Sequence, residues 1–203
     1  MKQVIRKRRP AFDREDGVAR AQALFHEHGY DAVSVADLTE ALGINPPSLY
    51  AAYGSKAELF NRSMLRYASR DQLPLAEILR PERDPVEALT DLLIASAKHY
   101  TRDQHLRGCM VTEAMRADDE TARAMATAIA KVGSDEIVNF IRKSHPEIAR
   151  RVADYVLLTM RGLSSFASLG LPRERLVESA KLAARSLDLE FKARLVPSRP
   201  KNC

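Results

Sequence analysis

Cys109 lies in the run His105-Leu106-Arg107-Gly108-Cys109-Met110, which puts an imidazole, a guanidinium and a thiol within five residues. A thiol near a helix N-terminus and beside cations gains thiolate character, and a thiolate reacts with oxidants and electrophiles. Cys109 and His105 also hold the makings of a Cys-dependent enzyme. That chemistry needs a third group to orient the imidazole, and the sequence offers none. A small buried apolar side chain is the plainer reading of a free cysteine. A second set of residues suits phosphate: Lys2, Arg6, Lys7, Arg8 and Arg9 all precede the first acid, Asp13. A third set, Ser34, Asn45, Pro46, Pro47, Ser48, Tyr50 and Lys56, falls in a stretch of short capped segments. There is no Gly-rich phosphate loop and no Cys/His spacing of a zinc site, so neither cofactor nor metal is expected.

These groups need a scaffold, and the sequence reads as helix after helix, without sustained period-two alternation or an internal repeat. Asp13 caps a first helix, with Val18, Ala21, Leu24, Phe25 and His28 on one face, Gly29 as a left-handed C-cap and Tyr30 closing behind it. Ser34 caps a second, with Asp37 three residues on and Val35, Leu38, Ala41 and Leu42 inward. Gly43-Ile44-Asn45 is a turn; Asn45 caps a third helix and Pro46 takes its first position, where no amide hydrogen is needed. Leu49, Tyr50 and Tyr53 carry that helix's apolar face. Ser55 and Glu58 box the start of a fourth helix, which runs through Leu59, Phe60, Met64, Leu65 and Tyr67. A Pro-rich, charged loop at about 73–85 follows. Further helices are expected from Asp84-Pro85 to Tyr100, from about Leu106 to Arg116, from Asp119 to Ile141 (with Ala122, Met125, Ile129 and Val132 inward), from Pro146 to Phe166, and from Pro172 to Phe191. The fold class is therefore all-α. The expected organisation is a basic arm at 1–10, a helix-turn-helix domain at 11–56, a helical effector-binding and dimerisation domain at 57–194 and a flexible tail at 195–203.

Two short helices joined by Gly43-Ile44-Asn45 and braced by an earlier one make a helix-turn-helix, whose second helix enters the major groove. The stretch from Asp13 to Phe60 resembles the TetR family DNA-binding domain. Ala23-Leu24-Phe25-His26-Glu27-His28-Gly29-Tyr30, Ser34-Val35-Ala36-Asp37-Leu38, Leu42-Gly43-Ile44-Asn45, Ser48-Leu49-Tyr50 and Gly54-Ser55-Lys56-Ala57-Glu58-Leu59-Phe60 carry the resemblance. It implies that Pro46, Pro47 and Ser48 touch base edges, that Tyr50 reaches a base or phosphate, and that Lys56 contacts a phosphate. Tyr53 and Leu49 match core positions. Ser34 aims the amides of the second helix toward phosphate. The paired prolines at 46 and 47 and the alanines at 51 and 52 depart from the commoner pattern and leave few donors. Readout then leans on Ser48, Tyr50, contact with thymine methyls, and DNA shape, with Arg6, Lys7, Arg8 and Arg9 following the backbone or a narrow minor groove.

A single helix-turn-helix binds weakly, and two half-sites about 34–36 Å apart call for a two-fold dimer. The resemblance implies a homodimer formed by the last two helices as a four-helix bundle, and the candidate interface is Val152, Tyr155, Val156, Leu163, Leu176, Ala180, Ala183 and Leu187. The middle helices are expected to enclose an effector pocket, drawn from Tyr67, Tyr100, Cys109, Met110, Met115, Phe140, Met160 and Phe166, for a small apolar or electrophilic effector. Some TetR-like regulators with a similar Gly-Cys pair resemble sensors of electrophiles or oxidants, which makes modification of Cys109 a candidate switch. The composition agrees: 203 residues, 45% apolar, net charge +5 and a pI of about 9.3, a balance suited to a polyanionic partner. Two cysteines form no disulfide framework, and no run approaches the roughly 18 apolar residues of a membrane span. A cytoplasmic transcriptional repressor that binds double-stranded DNA is the expectation. The alternative is a DNA-bound structural or protein-interaction module with no small-molecule switch.

Overall fold

The computed structural model describes residues 13–192, and among these every regular element is helical. The arm at 1–10, with Arg6, Lys7, Arg8 and Arg9, and the tail at 195–203 lie outside the described residues.

Helix α1 (Arg14–His28) starts where the Asp13 carboxylate accepts from the amides of Glu15 and Asp16. Its inward face differs from the expected one. His28 is exposed, because the buried stripe runs through Val18, Ala21, Gln22, Phe25 and His26 and so takes in two polar residues. Gly29 has φ 81° and ψ 163°, a positive-φ conformation open to glycine but outside the left-handed helical basin. That departure lays Tyr30 back on Phe25, ring centroids 5.9 Å apart, with Phe60 completing an aromatic cluster.

Helices α2 (Val35–Leu42), α3 (Pro46–Tyr53) and α4 (Lys56–Arg66) follow, and α4 packs on α1. Leu65 is exposed, because the buried face of α4 is Leu59, Phe60, Ser63 and Met64. Tyr67 does not continue α4; it opens a π-helical turn, Tyr67–Asp71. The proline-rich loop holds a further short helix, α5 (Leu75–Ile78), too brief for periodicity to reveal.

The remainder is a helical body: α6 (Pro85–His99), α7 (Met110–Ala114), α8 (Glu120–Arg142), α9 (Ala149–Ser168) and α10 (Arg173–Lys192). α6 runs beside α10 and α9, and α8 packs on α9 and reaches α4. The helix expected over 106–116 contracts to α7, since Asp103 accepts from the amides of His105 and Leu106 and holds that part of the chain in a turn. Val132 of α8 is exposed, because the inward row passes through Ala122, Ala126 and Ile137. Pro146 lies in a turn ahead of α9 rather than at its start. No helix among the described residues is long and apolar enough to cross a membrane.

Candidate functional site

Each residue of the helix pair α2–α3 has a local reason for its place. At the start of α2 the Ser34 hydroxyl accepts from the Asp37 amide at 3.2 Å, and the Asp37 carboxylate accepts from the Ser34 amide and hydroxyl, both at 2.7 Å. Those two hydrogen bonds hold the Asp37 carboxyl below its usual range. Gly43, at φ 66° and ψ 32°, turns the chain in the left-handed basin that glycine enters without a Cβ clash. Asn45 Oδ1 then accepts from the Ser48 amide at 2.9 Å, and Pro46 and Pro47 occupy the first turn of α3.

One face of α3 is anchored and the other is open. Leu49 and Tyr53 are fully buried, and the Tyr53 hydroxyl donates to the Arg14 carbonyl at 2.9 Å, tying α3 to α1. Pro46, Pro47, Ser48 and Ala51 are exposed, and Tyr50 is 49% exposed, so it is not part of the apolar face. Lys56 is half-buried, with Nζ 4.0 Å from the centre of the Tyr30 ring. Burial lowers its pKa, and Asp31, Asp119 and Asp37 oppose that shift.

A cavity of about 80 Å³ lies between the Tyr67 turn, α6, α7, α8 and α9. Of the expected pocket residues, Tyr67, Tyr100, Cys109, Met115 and Met160 line it. Met110 and Phe140 are buried elsewhere in the core, and Phe166 is 56% exposed on the outer side of α9. Leu75, His99, Ile137 and Leu157 also face the cavity. Sequence patterning did not single them out, since nothing in a period distinguishes a cavity wall from filled core. Cys109 is 8% exposed, and its amide donates to Ser164 Oγ at 2.9 Å. Burial, and then the neighbouring Cys109 thiol, push the Tyr67 phenol well above its usual range. Burial pushes Tyr100 in the same direction. His99 is lowered to about 4 by burial and by Arg102.

The thiol–imidazole pair does not form. His105 is exposed and sits 3.6 Å from Glu27, while Arg107 turns to the carbonyls of Ala167 and Leu171 at 2.6 and 2.5 Å.

The candidate dimer stripe lies mostly inside the protomer. Val152, Val156, Leu163, Leu176, Ala180 and Leu187 are buried within the protomer, and Tyr155 and Ala183 are half-buried. Those positions face the protomer's own neighbouring helices. The apolar residues that α9 and α10 leave to solvent are Leu158, Phe166, Leu169, Leu182 and Leu189.

Sequence reasoning passed over the contacts between the helix-turn-helix and the body. Asp71, at the end of the π turn, accepts from Gln22 Nε2 of α1 at 2.8 Å and from Arg66 at 3.1 Å, and its carbonyl accepts from Arg102 at 2.9 Å. Asp31 accepts from the amides of Asp118 and Asp119, ahead of α8, at 2.8 and 3.4 Å. A polar residue at i and i+4 beside an apolar row, as Gln22 and His26 are, was the available signal.

Residues 18–62 match the sequence profile of bacterial regulatory proteins of the tetR family. The HTH-type transcriptional repressor BdcR of Escherichia coli K12 is 41% identical over 176 residues, 87% of this chain and 89% of that protein. The HTH-type transcriptional repressor ComR of the same organism is 29% identical over 191 residues, 89% and 91% of the two chains. Among solved structures, a cysteine variant of the TetR family regulator CifR, in complex with a 26-base-pair double-stranded operator, has a TM-score of 0.76. It is 30% identical, over 88% of this chain and 99% of that one. Likeness across nearly the whole chain, on the α2–α3 pair and on the helical body together, places the protein: it belongs to the TetR family of DNA-binding transcriptional regulators.

Proposed function

We propose that this protein is a transcriptional repressor that binds a pseudo-palindromic operator as a homodimer and is released by a small effector. The observation that carries the reading is α3, buried on Leu49 and Tyr53 and open on Pro46, Pro47, Ser48 and Tyr50. The major groove admits such a helix. Pro46, Pro47 and Ser48 face base edges, Tyr50 a base or phosphate, and the amides at Ser34 a phosphate. Asn45 sets the pitch of α3 through its cap. Lys56 reaches phosphate by leaving the Tyr30 ring. Arg6, Lys7, Arg8 and Arg9 add contacts from the arm. α1 to α4 form the DNA-binding unit, and the rest of the chain forms the effector and dimer unit.

The dimer forms through the outer faces of α9 and α10. Leu158 and Phe166 are spaced along one side of α9, Leu169 caps its end, and Leu182 and Leu189 fall two turns apart on α10. Large side chains exposed in a row are the mark of an interface. The relatives named as repressors, and operator occupancy by a compact dimer, favour repression, in the cytoplasm where the chromosome lies.

Fluorescence anisotropy tests the reading, with a labelled duplex from upstream of the protein's own gene and a scrambled duplex as control. A preference of about 1,000-fold or more establishes a specific regulator. Absence of binding to either duplex, even at low salt, removes the proposal. Cys109 faces the effector cavity, so its modification is one route to release. Normal release by oxidant or electrophile in Cys109→Ala excludes that route.

A further inference from the structure

The first turn of α3 has no amide to present to DNA. Pro46 and Pro47 carry no N–H, the Ser48 amide donates to Asn45 Oδ1 at 2.9 Å, and the Leu49 amide donates to the Asn45 carbonyl at 3.0 Å. A helix N-terminus ordinarily turns such amides toward an acceptor. In α3 that part of the reading falls to side chains.

Their placement follows from the anchor. Leu49 is fully buried, and Pro47 and Ala51 each lie two residues from it, about 200° around the helix. They are four residues apart, so one sits above the other on the same face. Both are exposed. The line of α3 that points straight away from the core is thus a pyrrolidine ring and a methyl group. Ser48 and Tyr50, also exposed, flank this seam on opposite sides with their hydroxyls.

In the major groove the apolar group on a base pair is the C5 methyl of thymine. Cytosine has a hydrogen at C5, and 5-methylcytosine has the same methyl as thymine. A T·A pair and a 5-methylcytosine·G pair differ there in their donors and acceptors, O4 with N6–H against N4–H with O6. Pro47 and Ala51 have no side-chain group that senses this difference, and the Ser48 hydroxyl beside them both donates and accepts.

Resting on the reading of α3 as the helix in the groove, we infer that Pro47 and Ala51 read pyrimidine C5 methyl groups, whichever pyrimidine carries them. The ligand class therefore includes duplex DNA bearing 5-methylcytosine, and methylation of a cytosine beneath the seam turns a weak half-site into a strong one.

The test uses the full-length protein and the tightest duplex that repeated selection recovers from a random pool, read by fluorescence anisotropy at fixed salt. Each thymine is replaced in turn by uracil, symmetrically in the two half-sites. Beneath the seam, loss of the methyl weakens binding about fourfold per half-site, or about 15-fold for both. At the same positions C·G binds as weakly as U·A, and 5-methylcytosine·G restores the affinity of T·A. In Ala51→Gly the uracil effect falls toward one. The melting temperature of each variant without DNA shows that it is folded, and the four wild-type comparisons decide the matter if Ala51→Gly is not. Indifference to uracil at every position overturns the inference, as does a 5-methylcytosine duplex that binds no better than the cytosine one, or an undiminished uracil effect in folded Ala51→Gly. Ala51→Glu, which sets a carboxylate against the phosphate-walled groove, separates the two levels. If Ala51→Glu binds the selected duplex like the wild type, or if selection enriches no sequence, α3 is not in the groove and the proposed recognition falls as well. If Ala51→Glu loses the duplex while uracil duplexes bind the wild type like thymine ones, the recognition helix stands and this inference alone falls.

Discussion

Leu49 and Tyr50 are neighbours in sequence and sit about 100° apart on α3, so substituting each by alanine should separate folding from DNA binding. Leu49 is fully buried, while Tyr50 is 49% exposed. Truncating a buried leucine removes its transfer free energy and leaves a cavity, at a cost of about 2–5 kcal/mol. Substitution of a half-exposed residue away from caps and buried networks stays within roughly 0.5 kcal/mol, and alanine is the better helix former. Leu49→Ala should therefore lower the urea midpoint markedly, and Tyr50→Ala should leave it nearly unchanged. In binding the order reverses. A lost contact to a base is worth about 1–3 kcal/mol per half-site, between about fivefold and 150-fold in Kd. Tyr50→Ala should lose that much at each half-site, about 2–6 kcal/mol for a dimer on both halves of the operator, in an anisotropy titration at fixed salt, and much less for a scrambled duplex. The reasoning is refuted if Tyr50→Ala destabilises as much as Leu49→Ala, or if it binds the operator like the wild type.

Tyr53→Phe removes the hydroxyl that donates to the Arg14 carbonyl; a loss of about 1 kcal/mol is expected in urea unfolding, and an unchanged midpoint would mean the tie from α3 to α1 adds nothing. Leu158→Glu places a charge on the exposed apolar side of α9. Sedimentation should then show monomers with unchanged protomer stability, and a persisting dimer would move the interface elsewhere. Burial lowers the pKa of His26, and burial with Arg102 lowers that of His99 to about 4, against an ordinary value of 6.5. Below 6.5 the unfolded chain takes up protons that the fold refuses, so stability is full above that pH, falls as pH drops toward 4, and levels off below. Urea midpoints against pH check this, with a shallower slope in His99→Asn.

The helix-turn-helix was legible because its signals are local. Ser34 with Asp37, Gly43, and Asn45 with Pro46 are caps and turns that act within four residues, and all three fall where the sequence placed them. The long helices were legible from period alone. The failures share one cause: a stripe says which side of a helix is buried, not what buries it. Val152 to Leu187 read equally well as interface or as internal core, and the fold made most of them core. Phe166 read as a pocket wall because aromatic residues are usually inside. Gln22 and His26 carry no apolar signal, yet each is buried. The π turn at Tyr67–Asp71 has no sequence signature, since it depends on what Tyr67 and Asp71 hold at either end.

That turn bears on how a ligand and DNA affect one another. Tyr67 is a wall of the cavity, and four residues later the Asp71 carboxylate holds Gln22 of α1 and Arg66 of α4. His26, one helical turn beyond Gln22, lies edge-on to the Tyr67 ring at 5.4 Å, and its buried Nε2 has no hydrogen-bond partner among the described residues. A ligand that shifts Tyr67 therefore presses on α1 twice, through a ring contact and through a carboxylate. Rewinding the π turn into α-helix would move Asp71 by about one residue, roughly 100° of rotation, enough to break its bonds to Gln22 and Arg66. Asp71→Ala removes the carboxylate grip and keeps the cavity wall. In that variant the ligand should still bind, but the factor by which it weakens operator binding, commonly about 5–150-fold in coupled sites, should fall toward one. Coupling is reciprocal, so the ligand's affinity measured with and without operator duplex must change by the same factor. Full coupling retained in Asp71→Ala would show that the signal reaches α1 by another route, of which the Asp31 contact to the start of α8 is the next to test.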